Sequence, residues 1–162
     1  MKISCTIDIL RPPEEVFLWI GSPEKAMVWM TSVSKTEFLH RTPDMIGTTF
    51  REVVADEKGS TELQGVVRDY RPNQRIAFHL SGSYNVVDVE YRLEAIEGGT
   101  RLTQTADVRF KSFLWLVSIV MGPVFKKKLV EQVRQEFANL KALCERGATS
   151  KKPQEQTTVS KS

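Results

Sequence analysis

From Phe125 onward the apolar residues Phe125, Leu129, Val133, Phe137, Leu140 and Cys144 recur at spacings of four, four, four, three and four. Positions three or four apart share one side of an α-helix, so the spacing predicts a helix with a single apolar stripe. Lys127, Glu131, Arg134, Gln135 and Lys141 mark its wet side. Upstream, Phe113 to Val120 is apolar nearly all round, more than a one-faced helix needs. That end is either buried on several sides or turned toward something other than protein. Gly122-Pro123 divides the two parts. A proline inside a helix removes a hydrogen bond and crowds the preceding turn, which predicts a kink or break there. Unbroken, a helix of this length would span roughly 50 Å and should lie across a sheet.

Period-two alternation dominates the rest. In Lys2–Leu10, Ile3, Cys5, Ile7 and Ile9 oppose Lys2, Ser4, Thr6 and Asp8, the pattern of a half-buried strand. Arg11–Ile20 predicts a short helix with proline in its first turn, Glu14 and Glu15 at its positive end and Gly21 as its stop. Ser22-Pro23 predicts the cap and first turn of a second helix, running to Trp29 or Met30. Six more strands are predicted: Ser32–His40 with weak alternation, Thr48–Ala55, Ser60–Tyr70, Arg75–Leu80, Val86–Ala95 and Thr100–Phe110. Short turns separate most of them, Asp56–Gly59 and Glu97–Thr100 being the plainest hairpins. Strands joined this way form an antiparallel sheet, with one wet face and one face for the C-terminal helix to cover. The fold class is α+β. Residues 147–162 contain one apolar residue larger than alanine, so a single domain over 1–146 and a disordered polar tail are expected.

The totals narrow the function classes. At 162 residues the chain suits one domain, and 41% hydrophobic with 27% charged residues is ordinary for a globular protein. A net charge of +3 is too small to suggest nucleic acid. No apolar run reaches the length of a membrane span, and the N-terminus lacks an apolar export core, which together suggest a cytoplasmic protein. Cys5 and Cys144 form no disulfide framework or metal motif, so neither metal nor cofactor is expected. Nucleophile elbows, phosphate loops and dinucleotide fingerprints are missing. Ser22-Pro-Glu-Lys25 matches Ser-x-x-Lys to the letter but reads better as the helix cap.

A few residues carry candidate chemistry. If Phe50 and Val54 face inward, Glu52 does too, and Gln104 falls between Leu102 and Ala106 on the apolar side of its strand. A buried polar group needs a partner, which a cavity holding water or a polar ligand group would supply. The plainer alternative is that Glu52 tops an edge strand and Gln104 bonds a neighbour. Tyr91 adds an inward hydroxyl. His79, between Phe78 and Leu80, suits solvent better than the cavity; pointing inward it would be a proton carrier, and His40 sits at a strand end. Trp29, Phe50, Trp115, Met121 and Phe125 are candidate cavity walls, or plain core. Lys126-Lys-Lys128 next to the apolar segment is either a solvated helix face or a contact for an anionic membrane surface.

The element order and several phrases resemble the SRPBCC helix-grip superfamily, which includes START-related lipid carriers and polyketide cyclases/dehydrases. The phrases are Pro13-Glu-Glu-Val-Phe17, Ile46-Gly-Thr-Thr-Phe-Arg-Glu52, Tyr70-Arg-Pro-Asn-Gln-Arg-Ile-Ala-Phe78, Tyr91-Arg-Leu-Glu94, Gly98-Gly-Thr-Arg-Leu-Thr103 and Leu140-Lys-Ala-Leu-Cys-Glu145. They mark turns and packing rather than chemistry. The resemblance implies about seven curved strands gripping the C-terminal helix, with a cavity between for an apolar small molecule. Binding or transport of such a molecule is the first expectation. An enzyme of the cyclase/dehydratase kind, with Glu52, His79 or Tyr91 moving a proton, is the second. A protein-interaction module with a filled cavity is the third. The sequence says nothing of oligomeric state.

Overall fold

A computed structural model describes residues 1–56, 59–111 and 114–146; for 56 and 114–121 it describes the backbone alone. Strand β1 (Lys2–Ile9) is followed by α1 (Pro13–Ile20) and α2 (Pro23–Trp29). Then come β2 (Val33–His40), β3 (Thr49–Asp56), β4 (Gly59–Arg71), β5 (Arg75–Ser81), β6 (Asn85–Ile96), β7 (Gly99–Phe110) and α3 (Leu114–Arg146). All seven strands form one antiparallel sheet in the order β1-β7-β6-β5-β4-β3-β2. Strands β2 to β7 are a plain meander. Strand β1 pairs with β7, so β1 and β2, successive in sequence, stand at opposite edges. Helices α1 and α2 make that crossing: α1 packs on β6, β7 and α3, and α2 on β2 and α3.

The alternation places side chains as the sequence reading expects. Ile9, Phe50, Val67, Ile76 and Leu102 point into the core, where they meet Val16 of α1 and Phe137 and Leu140 of α3. The outer face is a lattice of ion pairs: Arg75 with Asp69 and Glu90, Arg92 with Glu90, and Arg101 with Asp8. Strand β2 shows weak alternation because the register shifts between Val33 and Lys35, which puts Val33 and Thr36, three apart, on the same inward face.

Three local expectations change. Helix α3 is continuous from Leu114 to Arg146 and runs through Pro123 without a break. Its packed stripe begins at Leu129 rather than Phe125, which is 40% exposed. Ser22 occupies the N-cap of α2, but its hydroxyl makes no capping bond. Trp115 and Met121 as cavity walls, the middle of the Asp56–Gly59 turn and the tail 147–162 lie outside the described residues or side chains.

Gly65 shows how tightly the inner face is fitted. The ring of Phe50 from the neighbouring strand lies where a Cβ at residue 65 would stand. Gly65→Ala should therefore destabilise the fold by about 1–3 kcal/mol, measured as a lower urea midpoint with an unchanged slope. An unchanged midpoint would mean that the Phe50 ring moves aside freely.

Candidate functional site

The aromatic residues of the inner face form a chain of ring contacts. Phe50 meets Phe78 at 5.6 Å between ring centroids, and Phe78 meets Tyr91 at 6.4 Å. Tyr91 meets Trp29 at 6.3 Å, and Trp29 leans on Phe137 of α3 at 6.5 Å. Such rings are large and stiff and leave space where their edges fail to interlock. Here a cavity of about 80 Å³ remains. Its walls are Trp29 and Ala26 of α2, Phe50 and Glu52 of β3, Phe78 and Leu80 of β5, Val89 and Tyr91 of β6, and Gln104 of β7, closed by Trp19, Ile20, Ser22, Pro23 and Met30.

Glu52, Tyr91 and Gln104 are all buried and all line this cavity. Tyr91 and Gln104 are direct cross-strand partners. Among the described residues, none of the three side chains makes a hydrogen bond; their polar ends open on the cavity, and the side-chain polar atoms sealed without a partner are those of Thr36 and Arg75. Thr36, the cross-strand partner of Glu52, adds a buried hydroxyl with no partner. Buried polar groups are nearly always bonded, and an unbonded one costs on the order of 1–3 kcal/mol.

Glu136 of α3 makes the contrast. It is 2% exposed, and its Oε1 accepts bonds from the Ser32 amide at 3.1 Å, the Ser32 hydroxyl at 2.8 Å and Gln132 at 3.3 Å. With Asn139, which donates to the Trp29 carbonyl at 3.2 Å, it ties the corner after α2 to α3. The fold satisfies its structural carboxylate and leaves the cavity carboxyl unbonded.

Burial sets the electrostatics. Removal from water pushes the Glu52 carboxyl from an ordinary 4.5 up to about 7. Burial also raises the Tyr91 hydroxyl far above its usual value, with the charges of Glu136 and Glu52 adding to it, so Tyr91 stays a neutral donor. At neutral pH the cavity therefore offers a phenol donor, an amide that donates and accepts, and a carboxyl poised to gain or lose a proton.

The other candidates lie elsewhere. His79 is on the outer face, its Nδ1 2.6 Å from Asp88, which also pairs with Arg109. Phe125 contacts Phe110 at 5.8 Å and is not among the cavity walls. Cys5 and Cys144 are buried, and burial raises both thiols, Cys144 to about 11, which keeps them protonated and inert. A larger space of about 830 Å³ borders Lys126 and Val130 of α3. It takes residues from both faces of the sheet, Ile3 and Ala106 on one and Ser4 and Asp107 on the other, so it is open space around the sheet rather than an enclosed site. Phe78 and Val89 border both it and the cavity. Among the described residues no group of His, Cys, Asp or Glu could hold a metal ion, and no helix is long and apolar enough to cross a membrane.

Residues 1–145 match the family described as polyketide cyclase / dehydrase and lipid transport. The chain belongs to that family. Solved structures agree on the SRPBCC-type, helix-grip fold. A crystal structure of TTHA0849 from Thermus thermophilus superposes with a TM-score of 0.77 at 16% identity, covering 93% of this chain and 100% of that one. A START superfamily protein from Mycobacterium smegmatis gives 0.75 at 20% identity, covering 90% of this chain and 97% of that one. The di-domain ARO/CYC StfQ from the steffimycin biosynthetic pathway gives 0.74 at 11% identity, with 91% of this chain matched to 51% of that one. None of the curated proteins matches the chain by sequence.

Thr36 and Glu136 escape the sequence reading. The β2 bulge hides the first, and nothing in the α3 spacing separates a buried, bonded Glu136 from the exposed Glu131 before it.

The Glu52 carboxyl makes stability depend on pH with a definite sign. Its proton is held more tightly in the folded protein than in the unfolded chain. Its contribution is therefore most favourable below about pH 4.5 and is lost as pH rises from there to about 7, a total of about 3 kcal/mol. Glu52→Gln should be near neutral in stability at pH 4 and should exceed the parent by about 2–3 kcal/mol at pH 8, read by urea unfolding. A difference independent of pH would show that Glu52 ionises freely in the folded protein.

Proposed function

We propose that the protein binds an apolar small molecule with one oxygen-bearing end, and that this end sits between Glu52, Tyr91 and Gln104. The observation that carries the reading is the convergence of three buried, unpartnered polar side chains on one cavity with aromatic walls. A space of about 80 Å³ admits several waters or a small polar group. Sites for whole drug-sized molecules run to about 300–1,000 Å³. A larger ligand therefore requires the walls around that space to move apart. Carriage of such a molecule, and a cyclase- or dehydratase-type reaction on it, both fit the family's range.

One observation favours the second of these. A carboxyl near pH 7 that lines the same cavity as a neutral phenol suits general acid–base work, since a group titrating near the working pH can both give and take a proton. Glu52 would move the proton, Tyr91 and Gln104 would hold the substrate oxygen, and orientation would supply the rest. An interaction module with no ligand is the remaining class, and it gives no reason for unbonded polar groups facing a void.

Native mass spectrometry of the purified protein, followed by organic extraction, separates these readings. A carrier should release an intact apolar compound with a carbonyl, carboxyl or hydroxyl end; an enzyme should convert it on incubation. Gln104→Leu should weaken that compound's binding about tenfold or more while leaving the melting temperature at or above the parent's. A variant that loses stability but no affinity would make Gln104 a packing residue and remove it from the site.

A further inference from the structure

Among the α3 residues whose side chains are described, Leu129 is the first packed against the core and Val133 the first fully buried. Cys5 Sγ, 4.0 Å from the Val130 carbonyl, marks where helix and strand meet. Upstream, Pro123 to Lys128 are all exposed. Six helical residues sweep more than a full turn, so no side of this segment is buried on the domain, although the Phe125 ring leans on Phe110 at its base. The exposed residues of the segment fall into two groups along its length, apolar and then basic, with Lys127 and Lys128 three and four places from Val124 and so flanking it on the same side of the helix. Val124 is 68% exposed and Phe125 40%, and Lys126, Lys127 and Lys128 follow at once. From Val108 through Val130 the sequence has no Asp or Glu, while Arg109, Lys111 and the three lysines are all basic. Arg109 pairs with Asp88, and Lys111 bonds Ser81 and Gly82.

We infer that the α3 arm at Val124–Lys128 docks on the surface of an anionic lipid bilayer. Apolar side chains left in water on so thinly packed a segment gain free energy when buried among acyl chains. Lysines beside them reach the headgroups with their ammonium ends while their stems stay in apolar surroundings. The two properties belong together only at a boundary that is apolar beneath and negative above. A nucleic acid would use the lysines and leave Val124 and Phe125 in water. The arm lies on the bilayer and does not cross it, since no described helix has a span long and apolar enough.

The test uses the full chain and sedimentation with phosphatidylcholine vesicles, with and without phosphatidylglycerol, at low and high salt. The parent should bind the anionic vesicles, weakly or not at all the neutral ones, and less as salt rises. Reversing the three lysines (K126E, K127E and K128E together) should lower partitioning by at least about 100-fold, at roughly fivefold per lysine charge lost, and the urea midpoint of the same variant separates this from the loss of the contact that Lys128 makes in the fold. A fluorophore placed on V124C, with Cys5 and Cys144 buried and slow to react, should shift to the blue on anionic vesicles alone. Equal binding to neutral vesicles, an unaffected triple variant or an unshifted fluorophore would each overturn the assignment. Binding to duplex DNA without binding to vesicles would do so too, and would make the arm a nucleic-acid contact.

Discussion

Strands β1 and β2 follow one another in sequence but stand at opposite edges of a seven-stranded sheet. At about 4.8 Å per strand the gap between those edges is roughly 29 Å, and the chain bridges it with two short helices and their connections. Such a bridge must cross a face or an end of the sheet, and here it shares the inner face with α3. Two helical layers meeting on one sheet cannot interlock everywhere. The remaining gap lies where α2, through Trp29, reaches the middle strands, and Glu136 and Asn139 hold that corner against α3. The cavity is thus a consequence of the topology, and only its lining is left for individual residues to decide.

That lining runs against what stability alone would choose. Leucine or phenylalanine at Glu52 or Gln104 would add buried apolar area and remove an unbonded polar group at the same position. The molecule bonds Glu136 at comparable burial, so its fold is able to satisfy an inward carboxylate. Leaving Glu52, Tyr91 and Gln104 open is consistent with an occupant that completes their bonds. The same openness gives Glu52 its titration near neutrality, because desolvation acts on it with no cation nearby to oppose it.

Much of this is legible in the sequence, for reasons that differ by residue. Strands β6 and β7 alternate so regularly that period two alone assigns Tyr91 and Gln104 to the inner face. Glu52 follows from an inward Phe50 two residues before it. Strand β2 is harder, since its bulge changes which residues share a face, and Thr36 is hidden there. Phe125 falls outside the site because a helical stripe records periodicity and not where the partner surface ends. His79 lies on the outward side of β5, where Asp88 holds it. Distances between strands far apart in sequence, such as β3 and β7, have no local signature, so the gathering of Glu52 with Gln104 emerges only in three dimensions.

The alternation has one more result. Each strand bears two independent sets of residues, an outward set locked into ion pairs such as Arg75 with Glu90, and an inward set that shapes the void. Substitution in one set leaves the other in register, because the backbone ladder joins them without coupling their side chains. A scaffold of this kind can change its lining one wall position at a time while its exterior and topology persist. Structures that overlay this chain at TM-scores of 0.74 to 0.77 with 11% to 20% identity are what such drift would leave behind. The lining of the void is then the variable, and the architecture is the constant.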